Sequence, residues 1–458
     1  MKLYDSLAAE VVEFVPRVPG EVSLYACGPT VYDHPHLGHA RQAMTYDVIR
    51  RYFEWSGLKV HHVANITDID DNIINRAKAE DSTEPEIAAY WTEEYDSVMA
   101  DLGILLPHDR PKATEYVEEM VELIAVLVDN GSAYANDSGV YLRVRSVEDY
   151  GALVHRTPDE LAEGSGARVE VDENKEDPLD FALWKAAKPG EPTWPSPWGD
   201  GRPGWHIECA AMSLDLLDED FDIHGGGRDL VFPHHTNERA EAIAAGKKFA
   251  RYWVHNAFIN VGGEKMSKSL NNFRTVRELL DEDPLNARAL RLVLLQTHYR
   301  KDLELNPKVL ASAREALKGI DAMVRRADSA GVDRTSTDRD ADAIAAFRAA
   351  MDHDFGTPDA VGTIFDLVRR ANTAIDTGST DATSLALTAI ELANSLGLAV
   401  GMQSATSEDD DDIDTLLAQR EEAKAAKDYA TADQIRDDLT SRGITVEDTA
   451  DGPIWFRA

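Results

Sequence analysis

The 458-residue chain has two cysteines, and each sits among groups that bind metals or move protons. Cys27 lies in Tyr25-Ala26-Cys27-Gly28-Pro29-Thr30, shortly before the run His36-Leu37-Gly38-His39. Cys209 closes Gly204-Trp205-His206-Ile207-Glu208-Cys209, and His234 and Glu238 follow it. Two thiolates, an imidazole and a carboxylate make a tetrahedral zinc donor set. His234 and Glu238 stand four apart in a segment of helical pattern, so they project from the same side. A thiolate near a helix start, as expected for Cys209, is favoured by the macrodipole. His235 adjoins His234 and faces elsewhere. His224, in His224-Gly225-Gly226-Gly227 at a strand end, is a further candidate site residue.

A second group of residues suits polyphosphate. His36 and His39 follow a strand and loop and open a helix, with Gly38 between them allowing close ligand approach. Lys265-Met266-Ser267-Lys268-Ser269, preceded by Gly262-Gly263, places two ammonium groups in a Ser-containing loop. Negative charge grows on a departing pyrophosphate, and cations aimed there lower the barrier.

Both groups need a scaffold, and the hydrophobic pattern supplies one. A strand from Val22 to Ala26 breaks at Gly28-Pro29, a helical pattern runs over 38–55, and a second strand covers 59–65. Strand, helix, strand implies a parallel sheet. Residues 84–130 are mostly helical, and 131–190 are irregular with short strands. The α/β pattern then returns: a helix over 207–217, a strand over 221–224 ending at Gly225-Gly226-Gly227, and a helix over 234–246. From 276 to 400 Leu, Ala and Val recur at helical spacing. The acidic run Glu408 to Asp412 is expected to be a solvated linker. A single charged helix over 414–442 follows, ended by Gly443, with strands at 444–446 and 454–456 paired across Asp451-Gly452.

Composition narrows the setting. Two cysteines give no disulfide framework, the start is not a secretory signal, and no apolar run approaches the ~18 residues that span a bilayer. A cytoplasmic protein without membrane contact is expected. Asp and Glu total 83 against 47 Lys and Arg, a formal net charge of −36. In molar salt the Debye length falls to about 3 Å, so such self-repulsion is largely screened. The surface is read as that of a halophile.

Taken together, these segments resemble the cysteinyl-tRNA synthetases, a family of class I aminoacyl-tRNA synthetases. The likeness rests on Cys27-Gly28-Pro29-Thr30-Val31-Tyr32-Asp33, His36-Leu37-Gly38-His39-Ala40-Arg41, Asn65-Ile66-Thr67-Asp68-Ile69-Asp70-Asp71, Gly204 to Cys209, Phe232-Pro233-His234-His235 and Lys265 to Leu270, and it runs from residue 1 to 458. Leu37, Asn72, Thr236 and Asn271 depart from the family's usual residues, but Glu238 keeps its ligand position.

The resemblance implies an α/β fold: a Rossmann-like catalytic domain in two halves, 1–130 and 191–260, split by a connective insertion at 131–190. It implies a lysine-loop and stem-contact region at 261–305, a helical bundle at 306–405, an acidic linker at 406–413 and an anticodon-binding α+β module at 414–458. One zinc ion would be held by Cys27, Cys209, His234 and Glu238 and would select the thiolate of L-cysteine over serine's hydroxyl. The cysteine carboxylate would attack the α-phosphate of ATP, accompanied by Mg²⁺. His36, Gly38 and His39 would hold the phosphates, and Lys265 and Lys268 the leaving pyrophosphate. Thr67, Trp205, His224 and Asp229 would contact the amino acid. The terminal adenosine of tRNA(Cys) would take the cysteinyl group, with Trp455 and Phe456 as candidates for stacking on the anticodon. A monomer is expected. A ligase joining cysteine to an amino sugar would share the fold and zinc, but it has no need of the C-terminal module.

Overall fold

The computed structural model describes every residue except 165–173, 262–263, 266–274, 284, 401–407, 427, 442–443, 450–451 and 458. At its centre is a four-stranded parallel sheet in the order Tyr252–Asn256, Ile223–Gly227, Glu21–Ala26, Lys59–Val63. The two middle strands come from segments nearly two hundred residues apart, so the first and second halves of the domain interleave in one sheet. Helix Leu37–Trp55 makes the crossover between Glu21–Ala26 and Lys59–Val63. It buries Leu37, Ala40, Met44, Val48, Ile49 and Phe53, a stripe at the i, i+3, i+4 spacing that packs a helix on a sheet.

The three glycines after His224 do not end their strand, as the sequence suggested; the strand runs through them to Gly227. The reason is close packing. A Cβ on Gly225 would strike the Tyr46 ring, and one on Gly226 would lie 2.8 Å from His235 Cε1. Tyr46 uses the room to donate its hydroxyl to Val254 O at 2.8 Å.

Between the halves lies a four-stranded antiparallel sheet, Ala133–Asn136, Gly139–Leu142, Phe181–Ala186 and Gly201–Pro203. Its last strand falls past residue 190, within the Pro-, Gly- and Trp-rich stretch expected to open the second half. Pro203 is tolerated because this strand is at an edge.

Four long helices, Pro307–Ser329, Ala341–Met351, Thr357–Thr377 and Ala382–Ser395, form the bundle, and its core is continuous with that of the catalytic domain. Just before the bundle, buried Arg291 of helix Asn286–Leu295 pairs with Asp47 at 2.5 Å, and Arg51 reaches the same carboxylate at 2.8 Å. Beyond it the acidic run is not a linker. Glu408 to Asp412 begin helix Glu408–Ala425. A second helix, Tyr429–Ser441, follows, so the expected single helix is two. Ile444–Thr449 and Gly452–Arg457 pair antiparallel, with Val446 opposite Trp455. The side chains of Trp455 and Phe456 lie outside the described residues. Among the described residues no helix is long and apolar enough to cross a membrane.

Candidate active site and metal centre

Three separate stretches of chain deliver the four metal-binding candidates to one point. Cys27 follows strand Glu21–Ala26, Cys209 sits early in helix Trp205–Leu217, His234 precedes helix Thr236–Ala244 and Glu238 lies in that helix's first turn. Their ligand atoms all lie within 4.8 Å of one another, and all four residues are buried. Cys27 Sγ is 3.7 Å from Cys209 Sγ and 3.5 Å from Glu238 Oε1. His234 Nε2 is 3.1 Å from Glu238 Oε1.

These separations fit a metal. Two sulfurs at ~2.3 Å from a tetrahedral ion lie about 3.8 Å apart. Burial pushes the Cys27 thiol well up, the Cys209 thiol to about 11 and the Glu238 carboxyl up, and it pushes His234 well down. Without a cation, burial favours the neutral form of every one of these groups. A divalent ion supplies the charge that would hold the thiolates and carboxylate ionised.

A supporting layer fixes the donors, and sequence reasoning assigned little of it. His206 Nδ1 lies 2.9 Å from His234 Nδ1, which turns His234 Nε2 toward the centre. His224 Nε2 lies 2.6 Å from Glu238 Oε2, so His224 stands behind the carboxylate, fully buried, rather than on the wall of the cleft. His235 Nδ1 is 2.8 Å from His255 Nε2, and His255 Nδ1 is 2.7 Å from Ser6 Oγ. Asn65 Oδ1 accepts the Gly28 N–H at 2.8 Å and lies 3.6 Å from Cys209 Sγ. Thr67 is also buried beneath the wall; its hydroxyl donates to Glu208 Oε2 at 2.8 Å and accepts from Asn65 Nδ2 at 3.2 Å. His206 and Asn65 stood in the quoted motifs, but their pairing with His234 and Cys209 has no local signature.

Beside the centre lies a cleft of about 440 Å³ whose wall includes Gly28, His36, Gly38, His39, Trp205 and Asp229. Trp205 stacks on His234 with centroids 4.2 Å apart and 39% of its surface exposed, so its ring forms a face between metal centre and cleft. Asp229 folds back over the strand end at Gly227; a Cβ there would lie 2.5 Å from its Oδ1. Gln42 ties two strand ends together, donating to Cys27 O at 2.5 Å and accepting from Gly227 N–H at 3.1 Å.

At the far end His36 caps helix Leu37–Trp55. His36 Nδ1 accepts the His39 N–H at 3.3 Å and His39 Nδ1 accepts the His36 N–H at 3.2 Å, a reciprocal cap. The rings stack at 3.7 Å. Gly38 makes this possible, since a Cβ there would lie 2.7 Å from His36 Cε1. Lys265 belongs to the two-residue strand Glu264–Lys265 paired with Ile259–Val261. Lys268 lies outside the described residues.

Residues 13–315 match the family described as tRNA synthetases class I (C) catalytic domain, well over half of the chain. The chain belongs to this family. Residues 346–401 match the DALR domain, and 406–457 match the Cysteinyl-tRNA ligase anticodon binding domain. Similar full-length proteins include the cysteine–tRNA ligase of Carboxydothermus hydrogenoformans, 46% identical over 100% of both chains. That of Halorhodospira halophila is 46% identical over 100% of this chain and 99% of its own. That of Geobacter metallireducens is 43% identical over 99% of each. Among solved structures, Mycobacterium tuberculosis methionyl-tRNA synthetase with methionyl-adenylate superposes with a TM-score of 0.59 at 15% identity, covering 83% of this chain and 90% of that one. The Agrobacterium radiobacter LeuRS–tRNA–LeuAMS complex gives 0.61 at 12% identity, covering 84% of each. These likenesses place the parallel-sheet domain in the class I synthetase fold.

Proposed function

We propose that the chain activates L-cysteine with ATP and transfers it to the terminal adenosine of tRNA(Cys). The observation that carries this reading is a buried Cys27, Cys209, His234 and Glu238 donor set beside a cleft that also holds the stacked His36 and His39. One end is built for a soft thiolate, the other for phosphate oxygens.

A zinc ion held by the four donors would supply a Lewis-acidic contact that favours a thiolate over a hydroxyl. The chain's own groups do the rest. Asp229 on the wall suits the cysteine ammonium group, and the Trp205 face covers the amino acid's apolar side and excludes water. Thr67 and His224 act from beneath, Thr67 through Glu208 and Asn65, His224 through Glu238. The cysteine carboxylate is then directed along the cleft to the α-phosphate. His36 and His39, locked by their mutual cap, donate to phosphate oxygens as charge builds there. Lys265 and Lys268 neutralise the leaving pyrophosphate, with Mg²⁺ accompanying ATP. The match of 406–457 to an anticodon-binding family supports tRNA, rather than a small molecule, as acceptor.

The test is ATP–pyrophosphate exchange with cysteine, serine or no amino acid, before and after chelation. It is run in ~2–3 M KCl to screen a surface of net charge −36. Exchange that needs cysteine, ignores serine and vanishes with the metal is expected. Equal exchange with serine, or exchange indifferent to chelation, would overturn the reading.

A further inference from the structure

Arg41 follows His39 by two residues but faces away from the cleft, and it is only 2% exposed. Buried guanidinium groups usually take a carboxylate. This one donates to three main-chain carbonyls: Phe258 O and Lys301 O by short bonds, and Tyr299 O at 3.1 Å. Burial lowers its pKa to about 10, so it stays charged at neutral pH.

The carbonyls mark the starts of two parallel strands. Phe258 directly precedes Ile259–Val261, and residues 299–301 precede Leu303–Leu305, with Ile259 opposite Leu303. The Phe258 peptide is gripped from both sides. Its carbonyl also accepts the Leu303 N–H at 2.9 Å, and its own N–H donates to Asp302 Oδ1 at 3.0 Å. Asp302 is held in turn by Arg228 at 2.9 Å. The next strand pairs with Glu264–Lys265, placing Asn260 opposite Lys265. On the other flank of the lysine-bearing segment, the Val276 N–H donates to Pro35 O at 3.0 Å and Thr275 bridges His36.

From this geometry we propose that Arg41 is a positioning residue. It sets the strand leading to Lys265 at a fixed separation from His36 and His39, acting through the Phe258 peptide with Asp302 as its counterpart on the N–H side. The inference rests on the reading of the cleft given above. It uses the property that separates Arg from Lys: a rigid fork serving several acceptors at once, where an ammonium is a compact point charge. Because Arg41 lies outside the cleft, its effect is on alignment. A shift of about 1 Å in a group that meets the reacting phosphates can cost about 10²-fold in rate.

Arg41→Lys, Arg41→Met and Asp302→Ala are compared with the wild-type full-length chain. Asp302 has 43% of its side chain exposed, so its replacement is expected to leave folding intact. For Arg41→Met, kcat in ATP–pyrophosphate exchange is expected to fall about 10²-fold, with KM for cysteine unchanged and Arg41→Lys giving little rescue. Asp302→Ala is expected to show a smaller fall with the same split, and it decides the matter if the Arg41 variants do not fold. Hydrogen–deuterium exchange provides a readout independent of activity: amides of 258–261 and 303–305 should exchange faster in each variant. Unchanged kcat, a parallel loss of cysteine binding, or unchanged amide exchange in folded variants overturns the proposal. A wild-type chain that shows no cysteine-dependent exchange sinks the functional reading instead, while the amide-exchange arm still tests the clamp.

Discussion

The two ends of the cleft are built on opposite plans. The candidate metal centre collects Cys27, Cys209, His234 and Glu238 from three stretches of chain, none more than 3% exposed, behind a layer of His206, His224 and Asn65. The proposed phosphate end is one helix start, where two half-buried histidines hold each other across three residues. On the proposed reading, the contrast follows from what each end would discriminate. Separating a thiol from a hydroxyl requires a dry site whose donors cannot be met by water. Holding triphosphate requires donors and positive potential that open to solvent and let product leave.

That difference can be broken from either side. The largest effect is expected from Cys209→Ser or Glu238→Gln, which remove a donor from the buried set. Metal content should drop and cysteine-dependent exchange should fall by more than about 10²-fold, beyond what outer-layer changes cause. Serine-dependent exchange that survived with full metal content would show that the buried end is not the selector.

His39→Ala acts on the other end. It should lower kcat for exchange by about 10²–10³-fold, the range for losing one oxyanion-type donor, while metal content and cysteine binding stay unchanged. Loss of metal in this variant would mean that the two ends are not separable.

His224→Ala leaves all four donors in place and removes the group 2.6 Å behind Glu238. A decrease in metal affinity of about 10–100-fold, measured by chelator competition, is expected. An unchanged affinity would show Glu238 oriented by other contacts.

The smallest expected effect concerns stability away from both ends. His62 is 5% exposed, and burial lowers its pKa from 6.5 to about 3. The folded state therefore binds fewer protons than the unfolded chain between these values. Its contribution is complete above pH 6.5 and is lost as pH falls toward about 3. By pH 5 the loss is about 2 kcal/mol. His62→Gln should flatten the decline in Tm between pH 7 and 5, and a decline identical to wild type would remove His62 as its source.

The same division explains which parts were legible in advance. The crossover helix and its flanking strands were read from local apolar spacing, because packing one helix on one sheet demands that period. The acidic run at 408–412 was misread, since a charge run looks the same whether it is a linker or the start of a helix; only the following helix decides. Gly225 and Gly226 suggested a break, but their missing side chains are filled by Tyr46 and His235, partners that no local window contains.

By itself, the sequence determined the donor types, the reciprocal spacing of His36 and His39, and the α/β order, because each depends on residues close along the chain. The tertiary structure alone decided that Cys27 and Cys209 lie 3.7 Å apart, that His224 and Thr67 stand behind the wall, and that Arg41 turns away to grip the Phe258 carbonyl. Those facts depend on which strands neighbour each other in the sheet and on which groups lose water when it closes, and both are set by contacts among distant segments.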